Sequence, residues 1–488
     1  METIAIPACN TSTLAPYVPS GQNPWSASKV KHVYRRLGFS ASQAEIDAAL
    51  ALSPGQFIDT LVDTAFALPP TPAPFWGYYS VSDFTDYGPQ NEQYITDWRI
   101  QTGNDLITED LRGRLAFFWM NHFVTELEVY FYSPYLFQYY NALQTHALGN
   151  FKDFVHAIGI NNTMLIYLNG FENTNATPNE NYARELYELF TLGEGNGYTE
   201  TDITETARAL TGYNHWSEPG AAIYFDVSTH DTGSKTIFGQ TGNWGYTDVI
   251  NILFQERSSE IANFICEKLY KFFVSPTVDA MVQQDIIAPL AQTLVSNNFE
   301  MVPMLKQLFK SEHFFDEYAV GVVIKSPMDI IFNFVKESTF YYDNPIMDAF
   351  LYYATLMGQE IYDPPDVSGW QRDEDWISTA TLTGRWQLME LYIDYIYANH
   401  EFTLTDLARD LTNDSNDPEY ITQVLVDHFV PKGLHTLSDY DTATDIFKWE
   451  IPQNYYDDGS WNLSWSTAPL QVSLLLKHIA RMPEFQLK

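Results

Sequence analysis

Apolar residues recur at helical spacing through most of this chain, and glycine, proline and asparagine break the pattern at intervals. Residues 1–26 are rich in Pro, Ser, Thr and Asn and read as an extended arm. Helical periodicity starts near Ser28, in K-V-K-H-V-Y-R-R-L-G-F, and Gly38 supplies a stop. Short helices are predicted around 42–52 and 54–66. The proline-rich L-P-P-T-P-A-P then leads into an aromatic loop from Phe75 to Gly88, long enough to line a cleft. Helices dominate from about Thr108 to Phe190, punctuated by Gly149 and the Asn161-Asn162 pair. Residues 213–245 lose the helical period, and I-Y-F-D-V offers a short strand. The helical pattern returns from Thr247 to about Ala398, broken by D-P-P-D-V-S-G-W, and tail helices follow near 404–411, 417–428 and 466–481. The predicted class is mainly α with small β elements around 213–245. One large helical domain over 27–488 fits this layout, and so do two merged lobes of about 27–255 and 256–488.

The block from Pro178 to Gly239 departs from plain amphipathicity. Thr177, Pro178 and Glu180 make a helix start with a capping box, and Gly193 a stop. At 100° per residue, Tyr182, Ala183, Leu186, Leu189 and Phe190 share an apolar face, while Glu180, Asn181, Arg184, Glu185 and Glu188 crowd the other. The i, i+4 pairs of Arg184 with Glu180 and Glu188 are how a solvated helix stabilises itself. Asn181, Glu185 and Glu188 also form one stripe that suits a divalent cation or a proton-transferring pair. Thr199 caps a second helix carrying Asp202, Glu205 and Arg208, and the two stripes are expected to meet in a buried ion network. The loop H-D-T-G-S-K that follows offers His230, Asp231 and Lys235. A turn in which Asp231 bonds backbone N–H groups explains these residues structurally. An acid/base or metal-ligating His230 beside an anion-stabilising Lys235 explains them functionally.

Charge narrows the partners. Twenty-six Lys and Arg against 62 Asp and Glu leave a net charge of −36, which repels phosphate backbones and anionic membrane surfaces. Nucleic acid is therefore not an expected partner. No apolar run reaches the roughly 18 residues of a membrane span. Cys9 and Cys266 are too few for a disulfide framework or a zinc cluster, and Cys266 lies in an apolar helix pattern as a buried thiol. The opening M-E-T-I-A-I-P-A-C-N has neither the basic nor the apolar region of a secretory signal. With Met1 as the natural start the expected compartment is the cytoplasm; with a signal removed upstream, it is exported. The chain lacks a G-x-S-x-G elbow, a P-loop, a dinucleotide fingerprint and H-E-x-x-H.

Several segments in fixed order carry a family resemblance: H-V-Y-R-R-L-G-F from His32, R-L-A-F-F-W-M-N-H-F from Arg114, M-L-I-Y-L-N-G from Met164, P-N-E-N-Y-A-R-E-L-Y-E-L-F-T-L-G from Pro178, A-R-A-L-T-G-Y, H-D-T-G-S-K-T-I-F-G from His230, K-S-P from Lys325, G-Q-E-I-Y-D-P-P-D-V-S-G-W from Gly358, and the closing M-P-E-F-Q-L-K. Together they resemble the domain-of-unknown-function-1800 family of uncharacterised bacterial proteins. The chain departs from it at Asp329, where relatives often carry Glu, and at Tyr213, where many carry Trp. The resemblance implies relatives that are commonly exported and encoded beside a phosphatase- or sulfatase-like partner. It implies no activity.

Two functional readings follow. In the first the chain is an acid/base or metal-assisted hydrolase or lyase acting on a polar, carbohydrate-like substrate. Glu185, Glu188, His230 and Asp231 would supply acid/base groups or hold a divalent metal. Asn181, Arg184 and Lys235 would bind substrate, with His122 and Trp370 as further lining residues. In the second it is a non-catalytic binding or assembly protein, with the ionic helix as a girder. His122, at the end of an apolar run, also reads as a satisfied core histidine, and Trp370 as a packing residue.

Overall fold

The computed structural model describes residues 13–488, so Cys9 and the first part of the N-terminal arm lie outside the described residues. The chain is mainly α, and the only sheets among the described residues are two two-stranded ribbons. Apolar periodicity explains the assembly. Helix Asp110–Met120 is buried from Leu111 to Met120, and Pro54–Ala67, Tyr87–Thr108 and Ser133–His146 pack around it. Towards the other end, Ala468–Arg481 packs against Thr379–Asn399, Glu401–Thr412 and Leu437–Lys448. A single cluster of buried apolar side chains runs from Tyr17 to Phe485. Each large side chain in it contributes about 1.5–3 kcal/mol through burial. No helix among the described residues is long and apolar enough to cross a membrane.

The structure extends the sequence reading in one place. The 22-residue helix Tyr87–Thr108 lies where no helix is predicted. Its buried face includes Asn91, Thr102 and Asp105 beside Ile95, Trp98 and Leu106, so the apolar period is diluted by polar residues that find partners inside. The aromatic loop before it packs back onto this helix, with Trp76 stacked on Tyr94 at 5.2 Å.

The signature block differs more. Its helix begins at Asn181, not Pro178, and becomes a π-helix over Leu186–Thr191. The predicted Thr177–Glu180 capping box is absent because Thr177 closes a turn with Thr174, and Asn179 N–H donates to the Asn173 side chain. Helix Glu200–Ala209 starts as predicted, on a Thr199–Asp202 capping box. The ion network joining the two helices lies at the surface: Arg184 bonds Glu200, whose side chain is 76% exposed. The stripe on the second helix holds a ribbon in place. Asp202 accepts from Phe238 N–H and Glu205 from Thr236 N–H, while Arg208 donates to the Ser234 carbonyl. That ribbon, Lys235–Ile237 with Gln240–Gly242, turns through Phe238 and Gly239, both at positive φ as such a tight hairpin requires.

At the far end residues 323–325 pair with 486–488: Lys488 N–H donates to the Val323 carbonyl at 2.9 Å, and Lys325 N–H to Gln486 at 2.8 Å. This pairing delivers the Lys488 side chain to the start of helix Pro327–Ser338.

Candidate active site

A pocket of about 120 Å³, room for several waters or a ligand group of similar size, opens where these segments meet. Helix Asp110–Met120 and the turn after it supply Arg114, Phe118, Asn121 and His122; helix Ser258–Phe273 supplies Lys268 and Phe272. The loop from 358 to 376 supplies Gln359, Trp370 and Arg372, and the C-terminal pairing brings Lys488 beside Asp329.

Its floor is ionic. Asp329 sits at the third position of its helix, where it completes a capping box with Ser326. One carboxylate oxygen receives Arg114 Nη1 at 2.7 Å and the other Lys488 Nζ at 2.6 Å, with all three side chains at most 3% exposed. The two cations hold the Asp329 carboxyl well below its ordinary range, against the cost of burial. The Arg114 guanidinium lies between Phe39 and Phe272, 4.6 Å from each ring centroid, and its Nε has no partner.

The inner wall is His122 and Lys268. His122 Nε2 lies 3.0 Å from the Phe190 carbonyl, so this nitrogen carries the hydrogen and Nδ1 presents a lone pair. Lys268 Nζ stands 3.3 Å from Nδ1 and donates to the Leu189 carbonyl at 3.0 Å. Burial pushes the Lys268 ammonium down to about 7, with Arg372 and Lys271 adding to the effect. Burial also pushes His122 well below its ordinary value, so the imidazole is neutral. The two accepting carbonyls belong to the π-helix of the signature block. They lie in its last turn, where carbonyls have no partner further along the helix.

The outer wall is the P-P-D-V-S-G-W loop. Asn121 Oδ1 accepts from Trp370 N–H at 2.6 Å, and the indole N–H donates to Glu360 at 2.9 Å. The Trp370 ring lies 5.0 Å from Phe117. Gly369 is at φ +95°, and a Cβ there would come within 2.8 Å of the Asn121 carbonyl. The glycine lets the loop close onto W-M-N-H-F.

The other sequence candidates lie elsewhere. Arg184 is shared by Glu180, Glu188 and Glu200 at 3.4, 3.2 and 2.8 Å, and Asn181 is exposed. Glu185 is half-buried, its pKa raised by burial first and by Glu188 second. His230 Nδ1 bonds the Thr211 carbonyl at 2.9 Å. Asp231 is held by Arg208 at 2.8 Å and stays below the ordinary carboxylate range for that reason. The Lys235 ammonium is buried, donating to the Gly233 carbonyl at 3.0 Å and to the Asp231 carbonyl. Of the nine residues, only His122 and Trp370 line the pocket. Among the described residues no three His, Cys, Asp or Glu side chains are grouped to hold a metal ion.

Lys268, Arg372 and Lys488 escaped the sequence reading. Lys268 and Arg372 are lone cations in unremarkable patterns, whereas Lys488 ends M-P-E-F-Q-L-K and Arg114 opens R-L-A-F-F-W-M-N-H-F, motifs that carry the family resemblance without singling out these side chains.

No curated protein and no solved structure matches the chain significantly. A family model described as "Protein of unknown function (DUF1800)" matches residues 32–487, and the chain belongs to that family.

Proposed function

We propose that the chain is an acid/base hydrolase or lyase whose polar substrate carries an anionic group into the Lys268 pocket. The observation that supports this most is the Lys268–His122 pair. It combines an amine that titrates near neutrality with a neutral imidazole, inside a pocket walled by Phe118, Phe272 and Trp370. A group poised near working pH can both donate and accept a proton, which is what general catalysis requires. His122 orients the amine, and the signature helix fixes both through Leu189 and Phe190. The aromatic walls exclude water and offer faces to a sugar ring or other planar surface. On this reading the Arg184 and Arg208 networks are scaffold, since their carboxylates are engaged by arginine or by backbone.

The test is an untargeted turnover screen over anionic sugars, esters and carboxylates, run on wild type, Lys268→Met and Glu185→Gln. Loss of turnover by about 10²–10⁴-fold in Lys268→Met, with Glu185→Gln active, supports the reading. Turnover lost in Glu185→Gln and kept in Lys268→Met moves the chemistry to the signature helix and overturns it. Anion binding without turnover in any variant makes the chain a binding protein.

A further inference from the structure

The charges around the pocket do not balance. On the pocket floor two buried cations, Arg114 and Lys488, share the one carboxylate of Asp329, a surplus of one charge, and Arg36 acts on it from outside the lining. Arg36 donates one bond to the Ala319 carbonyl, and its Nε and Nη1 have no partner. Arg114, which lines the pocket, likewise has a buried, unpartnered Nε. Lys268 bonds a carbonyl and an imidazole but no carboxylate, while Arg372 at the mouth is answered by the Asp373 carboxylate, which also lines the pocket. Lys271 is likewise answered, by Glu267 at 2.7 Å. Such a surplus is unexpected in a chain with a net charge of −36, where carboxylates to neutralise it are abundant. Leaving a cation unpaired in a buried site costs several kcal/mol, which is offset by an incoming anion or, for Lys268, by loss of its proton.

Resting on the reading above, we infer that the group this pocket receives is a compact dianion, a phosphate-like tetrahedral oxyanion or a dicarboxylate. One negative charge answers the surplus of the Arg114–Asp329–Lys488 floor, and the second answers Lys268. A monoanion leaves one of the two uncompensated. Arg114 Nε and the Lys488 and Lys268 ammonium groups are the donors, and Arg372 closes the mouth. The groups facing Lys268 are His122 from the helix end behind it, the Leu189 carbonyl, Phe264 and Lys271 on its own helix, and Arg372 from the loop opposite. None is a carboxylate, so the charge of the ligand itself decides whether Lys268 holds its proton.

Calorimetric titration of the full chain at matched ionic strength tests this with sulfate, malonate and acetate as probes. Sulfate or malonate should bind at least about tenfold more tightly than acetate, one tenfold step per about 1.4 kcal/mol. Sulfate and malonate separate the tetrahedral from the dicarboxylate form. Above neutral pH, dianion binding should take up about one proton, seen as a dependence of the heat on buffer ionisation. In Lys268→Met both the preference and the uptake should disappear. Arg372→Gln, altered only at the exposed mouth, should weaken all three anions and move the proton uptake to higher pH, since Arg372 helps hold Lys268 down. Acetate binding as tightly as sulfate and malonate, or a Lys268→Met variant that keeps the preference, overturns the dianion while leaving an anion pocket. Binding by none of the probes overturns both.

Discussion

Nδ1 of His122 stands 3.3 Å from the Lys268 ammonium, while the opposite ring nitrogen donates to the Phe190 carbonyl. The arrangement commits the imidazole to one tautomer and turns its lone pair towards the lysine. Burial holds Lys268 down to about 7. The unfolded chain keeps that proton up to about pH 10, so between about 7 and 10 it binds more protons than the folded one, and stability rises with pH. Urea unfolding of wild type and Lys268→Met across that window should show wild type gaining on the variant as pH increases. A constant gap between them would mean that Lys268 titrates normally.

Arg114 and Lys488 share the Asp329 carboxylate, and removing its charge strands both buried cations. Asp329→Asn should cost about 3–5 kcal/mol in chemical denaturation, as expected for breaking a buried ion pair from one side. A loss below about 1 kcal/mol, the scale of a surface pair, would show that water reaches Arg114 and Lys488 freely.

Gly369 takes a backbone conformation that side chains rarely adopt, and it faces Asn121 without room for a methyl group. Gly369→Ala should destabilise the chain by more than the roughly 1 kcal/mol that a tolerated glycine replacement changes. It should also loosen Trp370, seen as a red shift of tryptophan emission and faster quenching. Unchanged emission would mean that the loop does not depend on this contact.

Glu185 tests the signature helix. Its folded pKa is raised by burial, so the folded state takes up a proton more readily than the unfolded state, and stability declines as pH rises above about 4.5. Glu185→Gln should therefore equal or exceed wild type in stability at neutral pH, with the advantage fading towards pH 4. A variant markedly less stable at neutral pH would reveal a charge-dependent partner for this carboxylate.

The helical class was legible because periodic apolar residues at Val30, Val33 and Leu37, or Ile261, Ile265 and Leu269, leave little choice of element. Helix Tyr87–Thr108 was not, since Asn91, Thr102 and Asp105 look like surface residues until their partners are known. The signature block is dense in charge, and that density has structural explanations in the Arg184 ion pairs and in the ribbon that Asp202, Glu205 and Arg208 anchor. What the block contributes to the pocket is two main-chain carbonyls from Leu189 and Phe190, which no side-chain pattern announces. The pocket cations were invisible for a related reason. Lys268, Arg372 and Lys488 are far apart in sequence and meet only through tertiary packing.

Asp329 reaches 215 residues back to Arg114 and 159 forward to Lys488. A pocket assembled across such spans exists only in the complete fold, because no local fragment contains its walls. A ligand bound there would act as a clamp on the entire chain and add RT ln(1 + [L]/Kd) to the global unfolding free energy. Nascent or damaged molecules lacking either half would bind nothing, so ligand retention serves as a direct measure of how much of a preparation has folded to the end.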